Sequence, residues 1–334
     1  MKHLKSDKEK IMEFLLSGHL DSIELGIQIA ESLHVDLKDV AEDMDILFNW
    51  LSKHTRLTFK HKLLKIHSVE VIDLSGKNLK VIPSQIKYLT NVKKLLLSDN
   101  SIHKIPNEIG NLTKLTELKV DNNHLTVLPA EIGLLTQLTL LDVRENHLQL
   151  VPPQIGNLIK LKQLLLDVNQ LTELPIEIGK LEALSHLSVR ANQLAQLPVE
   201  IKDLKKLTQL DVGENLLQEF PESLIRLQKL IVLILDTNPL KKLPDKIGIL
   251  KKLTYLNMSH TQLQSIPSQI GTLMQLNKLY LAGNQLARLP SEIGQLDKLQ
   301  VLGLWDNPLS KDEKINIQSW LPFCEVKYGI ESFK

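Results

Sequence analysis

The chain has 334 residues, and its 40 Lys and Arg residues nearly balance its 39 Asp and Glu residues, which leaves a net charge of +1. This balance lacks the strong basic excess that draws proteins to nucleic acids or to anionic membranes. The residues are 43% hydrophobic, and the single cysteine, Cys324, has no second cysteine with which to form an intrachain disulfide. This cysteine usage favours a reducing, cytoplasmic compartment.

Residues 1–66 carry no long repeat and are predicted to form short helices. In the phrase DSIELGIQIAESL, Asp21 and Glu24 have the spacing of a capping box, and apolar residues follow at helical spacing. The short apolar run near the start is interrupted by Glu13, so we expect neither a secretory signal nor a membrane-spanning segment. We predict that this region is a helical cap on the first repeat.

Residues 67–309 repeat one phrase of 23 residues, LxxLxLxxNxLxxLPxxIGxLxx, about eleven times without an insertion. A fixed period of this length is the signature of a stacked repeat protein. One asparagine column runs through the repeats, with Lys77 in the first position and Thr261 in the ninth. The asparagines are Asn100, Asn123, Asn146, Asn169, Asn192, Asn215, Asn238, Asn284 and Asn307.

Each column of the repeat has a physical role. Leu141 and Val143 alternate with polar residues, which is the period-two pattern of a short strand. The amide of Asn146 can satisfy buried backbone groups of the turn, so the stacked asparagines are predicted to form a ladder. Pro152 cannot continue strand pairing, and Ile155 buries the returning segment. One such unit cannot bury its own apolar face, whereas a stack of units can.

Residues 310–334 leave the repeat and are predicted to form a C-terminal cap. A helix from about Lys311 to Trp320 would place its own tryptophan, together with Ile315 and Ile317, over the last repeat. The phrase CEVKY that follows is predicted to add a closing strand.

The third, fifth and seventh positions of each predicted strand face one side of the sheet, away from the core. These are the freely variable strand positions, so we expect them to carry binding specificity. The candidate partner-binding residues in the middle repeats are charged or polar: Asp142, Arg144, Asp167, His186, Arg190 and Asp211. Those in the C-terminal third are apolar or aromatic: Val232, Ile234, Tyr255, Tyr280 and Trp305.

Tyrosine and tryptophan beside a charged zone are typical of an interface core with a polar rim. The competing explanation is that strand positions favour aromatic and β-branched residues in any case. This explanation accounts less well for their concentration in the last four repeats.

No motif of catalytic chemistry is present: the sequence has no Walker loop, GxSxG, HExxH, CxxC or GxGxxG. We therefore expect no catalytic residue and no cofactor. His124 and His147 occupy one column of adjacent repeats at metal-bridging spacing, with Asp121 and Glu145 nearby, but nothing fixes a full ligand set, so we expect no metal site. A column of lysines precedes several strands without the aromatic residues that stack on bases, so we expect no nucleic-acid binding.

The phrase LPxxIGxL resembles the 23-residue leucine-rich repeats of the Scribble-like scaffold family, of plant intracellular Ras-group proteins and of many bacterial proteins. The resemblance implies an α/β fold, a right-handed leucine-rich-repeat solenoid with a parallel concave sheet, flanked by the two caps. The N-terminal stretch LLSGHLDSIELGIQIAESL is similar to the helical lead-in of some bacterial repeat proteins, which points to a bacterial source.

The family mostly binds proteins, so the resemblance implies a non-enzymatic interaction module. From the sequence we expect a cytoplasmic monomer that binds another protein or peptide on its concave face and does not contact nucleic acid or membrane. Two alternatives remain open. One is a structural scaffold that self-associates through its sheet edge or end caps, and the other is a secreted bacterial effector that acts on host proteins.

Overall fold

The computed structural model describes residues 11, 14–15, 17, 19–33, 37–51, 64 and 66–329, and much of the helical region expected at residues 1–66 lies outside this set. Its helices α1 (Leu20–Ser32) and α2 (Lys38–Leu51) precede the repeats. Helix α1 begins at Leu20, so Asp21 lies within the first turn rather than at the N-cap, and the predicted capping box is wrong.

Helix α2 packs on the first repeat. The carboxylate of Asp43 accepts hydrogen bonds from Gln85 Nε2 at 2.7 Å and from Tyr88 Oη at 2.9 Å. The indole of Trp50 donates to the carbonyl oxygen of Val81 at 3.1 Å. These contacts satisfy polar groups at the exposed end of the solenoid.

Among the residues that the structure describes, twelve strands form one sheet in strict chain order, and every neighbouring pair is parallel. The strands are β1 (Val71–Asp73), β2 (Lys94–Leu96), β3 (Glu117–Lys119), β4 (Leu140–Asp142), β5 (Gln163–Leu165), β6 (His186–Ser188), β7 (Gln209–Asp211), β8 (Val232–Ile234), β9 (Tyr255–Asn257), β10 (Lys278–Tyr280), β11 (Val301–Gly303) and β12 (Glu325–Lys327). The predicted solenoid with a parallel sheet is confirmed, and we number its repeats 1 to 11 after strands β1 to β11.

A short 3-10 helix follows the proline of each of the first ten repeats. The ten helices are Ser84–Tyr88, Asn107–Asn111, Ala130–Leu134, Pro153–Asn157, Ile176–Lys180, Val199–Asp203, Glu222–Arg226, Asp245–Ile249, Ser268–Thr272 and Ser291–Gln295. Each buries an isoleucine or leucine, for example Ile155, beneath the sheet. The apolar core therefore runs continuously between the sheet and the row of 3-10 helices.

The asparagine side chains join consecutive repeats. Asn169 Oδ1 accepts a hydrogen bond from Leu148 N at 2.9 Å, and its Nδ2 donates to Val143 O and Leu166 O, both at 3.0 Å. Leu148 and Val143 belong to the preceding repeat, so one side chain closes its own turn and holds the turn before it. Asn307 makes equivalent bonds to Leu286 N and Leu281 O, but it is partly exposed.

Thr261 changes this pattern at the junction of repeats 8 and 9. Its hydroxyl lies 2.7 Å from Met258 O in its own repeat and 3.1 Å from Asn284 Oδ1 in the following repeat. In the preceding repeat, Leu240 N turns back to Asn238 O at 2.8 Å. A backbone bond from Lys241 N to Thr261 O, 3.0 Å long, then links the two repeats in place of an asparagine amide.

A column of glycines sets the spacing of the 3-10 helices. A Cβ atom on Gly133 would lie 2.5 Å from Gln154 O and 2.7 Å from Gln154 Cβ, closer than real Cβ atoms approach. In repeats 1, 6 and 7 the column instead holds Lys87, Lys202 and Ile225. The 3-10 helices of repeats 7 and 8 pack less closely than the other neighbouring pairs, whereas those of repeats 1 and 2 pack as closely as pairs that contain the glycine.

Surface grooves lie at these three junctions. A groove of about 520 Å³ between repeats 6 and 7 and one of about 440 Å³ between repeats 7 and 8 share the lining residue Phe220. A third, of about 410 Å³, lies between repeats 1 and 2 and is lined by Val81 and Pro106.

The C-terminal cap consists of helix α3 (Lys311–Trp320) and strand β12, which pairs with β11 as the predicted closing strand. Ser310 caps the helix by accepting a hydrogen bond from Glu313 N at 3.1 Å. Ile317 is fully buried and Trp320 packs against the core, but Ile315 is 67% exposed. The prediction that Ile315 covers the last repeat is wrong, because a residue two positions from Ile317 lies on the opposite helix face.

Candidate functional site: the concave face

The concave face is built from the residues that flank the buried centre of each strand. In β9, Leu256 is fully buried, whereas Tyr255 and Asn257 on either side are half-buried. The parallel register places Val232 beside Tyr255 and Ile234 beside Asn257. The side chains at these positions therefore form columns across the sheet, one residue per repeat.

Asp142 and Arg144 form an ion pair at the end of β4. Arg144 donates from Nε to Asp142 Oδ1 at 2.9 Å and from Nη2 to Asp142 Oδ2 at 2.7 Å. The hydrogen bonds to Asp142 raise the pKa of the Arg144 guanidinium above its usual range. Asp142 is only 2% exposed, so its carboxylate is paired mainly with the Arg144 guanidinium and is little available to a partner.

Arg190 is the centre of a larger group, which we call the acidic cluster: Arg190 with Asp167, Asp211, Glu214 and Asp236. Arg190 donates from Nη1 and Nη2 to the two carboxylate oxygens of Asp236, at 2.9 and 2.8 Å. Nη2 also donates to Glu214 Oε1 at 2.6 Å, and Nη1 lies 3.7 Å from Asp211 Oδ1. Three carboxylates thus share one guanidinium. With Asp167, which accepts a hydrogen bond from Arg190 N, the cluster has a formal excess of three negative charges.

Asp167 and His186 make local hydrogen bonds in the same region. Asp167 Oδ1 accepts hydrogen bonds from Ser188 Oγ and from Arg190 N, the latter at 3.1 Å. His186 Nδ1 lies 2.9 Å from Ser185 Oγ. Asp167 therefore belongs to the acidic cluster, whereas His186 is engaged by its chain neighbour.

Glu214 and Asp236 were missed in the sequence analysis. Asp236 occupies the seventh strand position of repeat 8, the column that contains Arg144, Asp167 and Arg190. Gly213 occupies that position in repeat 7, where a Cβ atom would lie 2.4 Å from Arg190 Nη1 and 2.7 Å from Asp236 Oδ1. A glycine between an arginine and an aspartate in one column was the signal that could have identified the pair.

Asp211 is the least well compensated carboxylate of the acidic cluster. The pKa of Asp211 is raised from 3.8 to about 6, mainly by burial and also by the nearby charges of Asp167 and Asp236. The hydrogen bond from Gly213 N, 2.9 Å long, and the charge of Arg190 oppose this rise without cancelling it. Near neutral pH, Asp211 is thus a charged group held in an unfavourable environment.

We predict that Asp211→Asn raises the free energy of unfolding at pH 7.5 by on the order of 2 kcal/mol. A folded-state pKa above the unfolded value means that stability from this group falls as the pH rises from about 4 through about 6. The gain from asparagine should therefore shrink between pH 7.5 and pH 4.5. Urea denaturation of both proteins at several pH values checks this, and a gain independent of pH would contradict it.

Tyr255, Tyr280 and Trp305 form a continuous line of rings, which we call the aromatic row. The ring centroids of Tyr255 and Tyr280 are 5.5 Å apart at an angle of 45°, and those of Tyr280 and Trp305 are 6.5 Å apart at 70°. These tilted and edge-on arrangements are favourable for aromatic pairs. The rings are half-buried, and burial raises the pKa of Tyr255.

Gly303 provides room for the aromatic row. A Cβ atom at this position would lie 2.7 Å from Trp305 Cζ3 and 2.9 Å from Tyr280 Cδ1. This glycine was also missed in the sequence analysis, although it is the only glycine at the fifth strand position of any repeat. Val232 and Ile234, both half-buried in β8, lie between the acidic cluster and the aromatic row.

Two family models match the chain: "Leucine-rich repeat region" at residues 177–254, and "Leucine rich repeat" at residues 67–125 and 228–286. A leucine-rich-repeat protein of Leptospira interrogans with a solved structure is 33% identical, the match covering 83% of this chain and 82% of that protein, with a TM-score of 0.62. The chain belongs to the leucine-rich-repeat family. No curated protein matches it.

Two further solved structures resemble this leucine-rich-repeat protein. An internalin of Listeria monocytogenes shares its fold at 23% identity, covering 88% of this chain and 89% of the internalin, with a TM-score of 0.67. The ectodomain of the Arabidopsis thaliana receptor kinase GASSHO1/SCHENGEN3 is 30% identical, covering 75% of this chain but only 34% of the ectodomain, with a TM-score of 0.61. That ectodomain was solved in complex with CASPARIAN STRIP INTEGRITY FACTOR 2.

Three exposed histidines of this leucine-rich-repeat protein, His103, His124 and His147, form a short stack. The rings of His124 and His147 are parallel and 5.7 Å apart, and His103 lies 5.2 Å from His124. Within the part of the chain that the structure describes, no group of three or more His, Cys, Asp or Glu residues is arranged to hold a metal ion. The absence of a metal site stays a prediction.

Cys324 lies in the C-terminal cap and is buried. Burial raises the pKa of its thiol to about 11, which keeps the thiol protonated and unreactive near neutral pH. Among the described residues, the helices are too short or too polar to cross a lipid bilayer.

Proposed function

We propose that this protein is a non-enzymatic interaction module that binds an extended segment of a partner protein on its concave face, between β5 and β11. The observation that carries the proposal is the half-buried aromatic row, whose first ring, Tyr255, is close enough to Asp236, Asp211 and Arg190 to be influenced by their charges. Tyrosine and tryptophan are the residues that most often dominate binding energy at protein interfaces. Support also comes from the receptor kinase ectodomain, which was solved in complex with another molecule.

The direction of the aromatic row suits an extended segment. Tyr255, Tyr280 and Trp305 occupy the third, fifth and seventh strand positions of successive repeats, so the row runs diagonally across the sheet. Adjacent strands are about 4.8 Å apart, so an extended segment that crosses the last three repeats passes one ring of the aromatic row in each repeat. Asp142 and Arg144 satisfy each other and are assigned to the rim of this surface.

Truncation of the aromatic row tests the proposal. Trp305→Ala and Tyr280→Ala are each expected to weaken capture of the partner from a native lysate by about thirtyfold or more, because each removes an interface anchor. Phe323→Ala is the matched control, since Phe323 is 98% exposed in the C-terminal cap. Captured proteins are identified by mass spectrometry and their affinities are then measured with purified components.

The melting temperature of each variant is needed beside its affinity. The rings contact each other on the sheet surface, so we expect each truncation to lower the melting temperature by only a few degrees. Full capture by both variants would place the binding surface elsewhere. Early unfolding of either variant would instead assign the rings to packing of the C-terminal repeats.

The proposal also includes a monomeric protein in a reducing, cytoplasmic compartment and a bacterial source. The buried, free Cys324 and the lack of a second cysteine support the compartment, and the 33% identity to the Leptospira interrogans protein supports the source. Light scattering coupled to size-exclusion chromatography measures the mass directly. A dimer would favour the self-associating scaffold instead.

A further inference from the structure

The two halves of the proposed binding surface differ in chemical character, and the difference specifies what they can bind. We propose that the bound segment is extended and carries a Lys or Arg side chain over the acidic cluster, with apolar or aromatic side chains over the aromatic row about three to six residues away. This inference rests on the proposed function and names the chemical class of its partner.

The acidic cluster carries excess negative charge, which would attract a cation from a partner. The cluster has a formal charge of −3, whereas the whole chain has a net charge of +1. The guanidinium of Arg190 is engaged by Asp236 and Glu214, and it remains 3.7 Å from Asp211, beyond hydrogen-bond length. The side chain of Asp211 is 21% exposed, so a cation from a partner can reach it.

Segments of other chemistry fit this surface less well. An acidic segment would be repelled by the surplus carboxylates, and like charges at an interface disfavour wrong partners strongly. A wholly apolar segment would cover Asp211 without giving it a hydrogen-bond donor, and an unpaired buried charge is unfavourable. A Lys or Arg side chain supplies both the donor and the opposite charge.

The distance between the two halves sets the spacing within the segment. Asp211 lies on β7, and the aromatic row begins at Tyr255 on β9 and ends at Trp305 beside β11. At about 4.8 Å per strand, these distances are roughly 10 and 19 Å across the sheet. An extended chain advances about 3.3–3.6 Å per residue, so they correspond to about three and six residues. Val232 and Ile234 provide an apolar surface between them.

A random 12-residue peptide library displayed on phage, selected against the full chain, tests the inference without knowledge of the natural partner. The enriched peptides are expected to contain a Lys or Arg with apolar or aromatic residues about three and six positions away. Synthetic, labelled versions of these peptides are then titrated with the protein by fluorescence anisotropy. Their affinity should fall when the salt concentration is raised, because a charge pair contributes to binding.

Three variants separate the two halves of the surface. Asp211→Asn is expected to weaken binding of the selected peptides about tenfold, and Trp305→Ala to weaken it at least as much. Phe323→Ala, outside the proposed surface, should leave the affinity unchanged. Because Asp211→Asn is expected to stabilise the fold, a loss of affinity in this variant cannot be assigned to unfolding.

The outcomes distinguish this inference from the function on which it rests. Peptides that depend on Trp305 but lack basic residues, or that bind Asp211→Asn normally, would overturn the inference and leave the proposed function intact. Peptides that are insensitive to both variants, or a library that gives no enriched sequence, would overturn the proposed function as well.

Discussion

Replacement of Asn169 by alanine is expected to lower the free energy of unfolding by about 3 kcal/mol. The side chain is 8% exposed, and its loss leaves Leu148 N without this partner in a buried turn and removes one of the two side-chain hydrogen bonds that Val143 O accepts. Each buried polar group that loses its partner costs roughly 1–3 kcal/mol. Urea denaturation with a two-state fit measures the change, provided that the slopes of mutant and wild type agree.

Asn307→Ala is the matched control for Asn169→Ala. Asn307 bonds to Leu286 N at 3.0 Å and to Leu281 O at 2.8 Å, so the number of bonds to the preceding repeat is the same. Its partial exposure lets water replace the lost bonds, so we expect a loss of about 1 kcal/mol. Equal losses in the two variants would show that burial of the asparagine does not determine its contribution.

The second large effect is expected in the glycine column. Gly133→Ala should destabilise the protein by about 2–3 kcal/mol, because the new methyl group would overlap the backbone of Gln154 in the next repeat. Lys202→Ala keeps the Cβ that is already present in the same column, and we expect it to change stability by less than about 0.5 kcal/mol. Thermal and urea denaturation of both variants provide the comparison.

If Gly133→Ala is as stable as the wild type, the 3-10 helices can separate at little cost. If it is destabilised as expected, the glycine column is a requirement of close packing at the junctions where it occurs.

The period of the sequence was sufficient to predict the solenoid because each repeat contacts mainly its neighbours. A marker such as Asn146 and the proline six residues after it therefore define a turn and its stacking partners without any knowledge of distant residues. The caps do not repeat, and there the predictions were weaker. The helical spacing located α3 correctly, but it could not decide that Ile315 faces solvent rather than the last repeat.

The sequence predicted which residues of the candidate site lie in the same column, but it did not predict which side chains contact each other. Alternation along the strands indicated which residues share the concave face, including Tyr255 and Tyr280. It could not show that Arg190 reaches Asp236, two repeats away, because that contact depends on side-chain length and on the missing side chain of Gly213. Similarly, the space above Gly303 is visible only once the rings are placed.

Thr261 lies where two blocks of repeats meet, and each block carries one half of the proposed binding surface. The residues of the acidic cluster lie in repeats 5 to 8, and the rings of the aromatic row lie in repeats 9 to 11. Between repeats 8 and 9, the hydrogen bonds of an asparagine amide that join other neighbouring turns are missing. A backbone hydrogen bond from Lys241 N to Thr261 O takes their place. We expect the junction beside Thr261 to open more readily than the junctions that an asparagine amide bridges, because neighbour contacts hold a linear array together. A ligand bound across both blocks would then stabilise this junction.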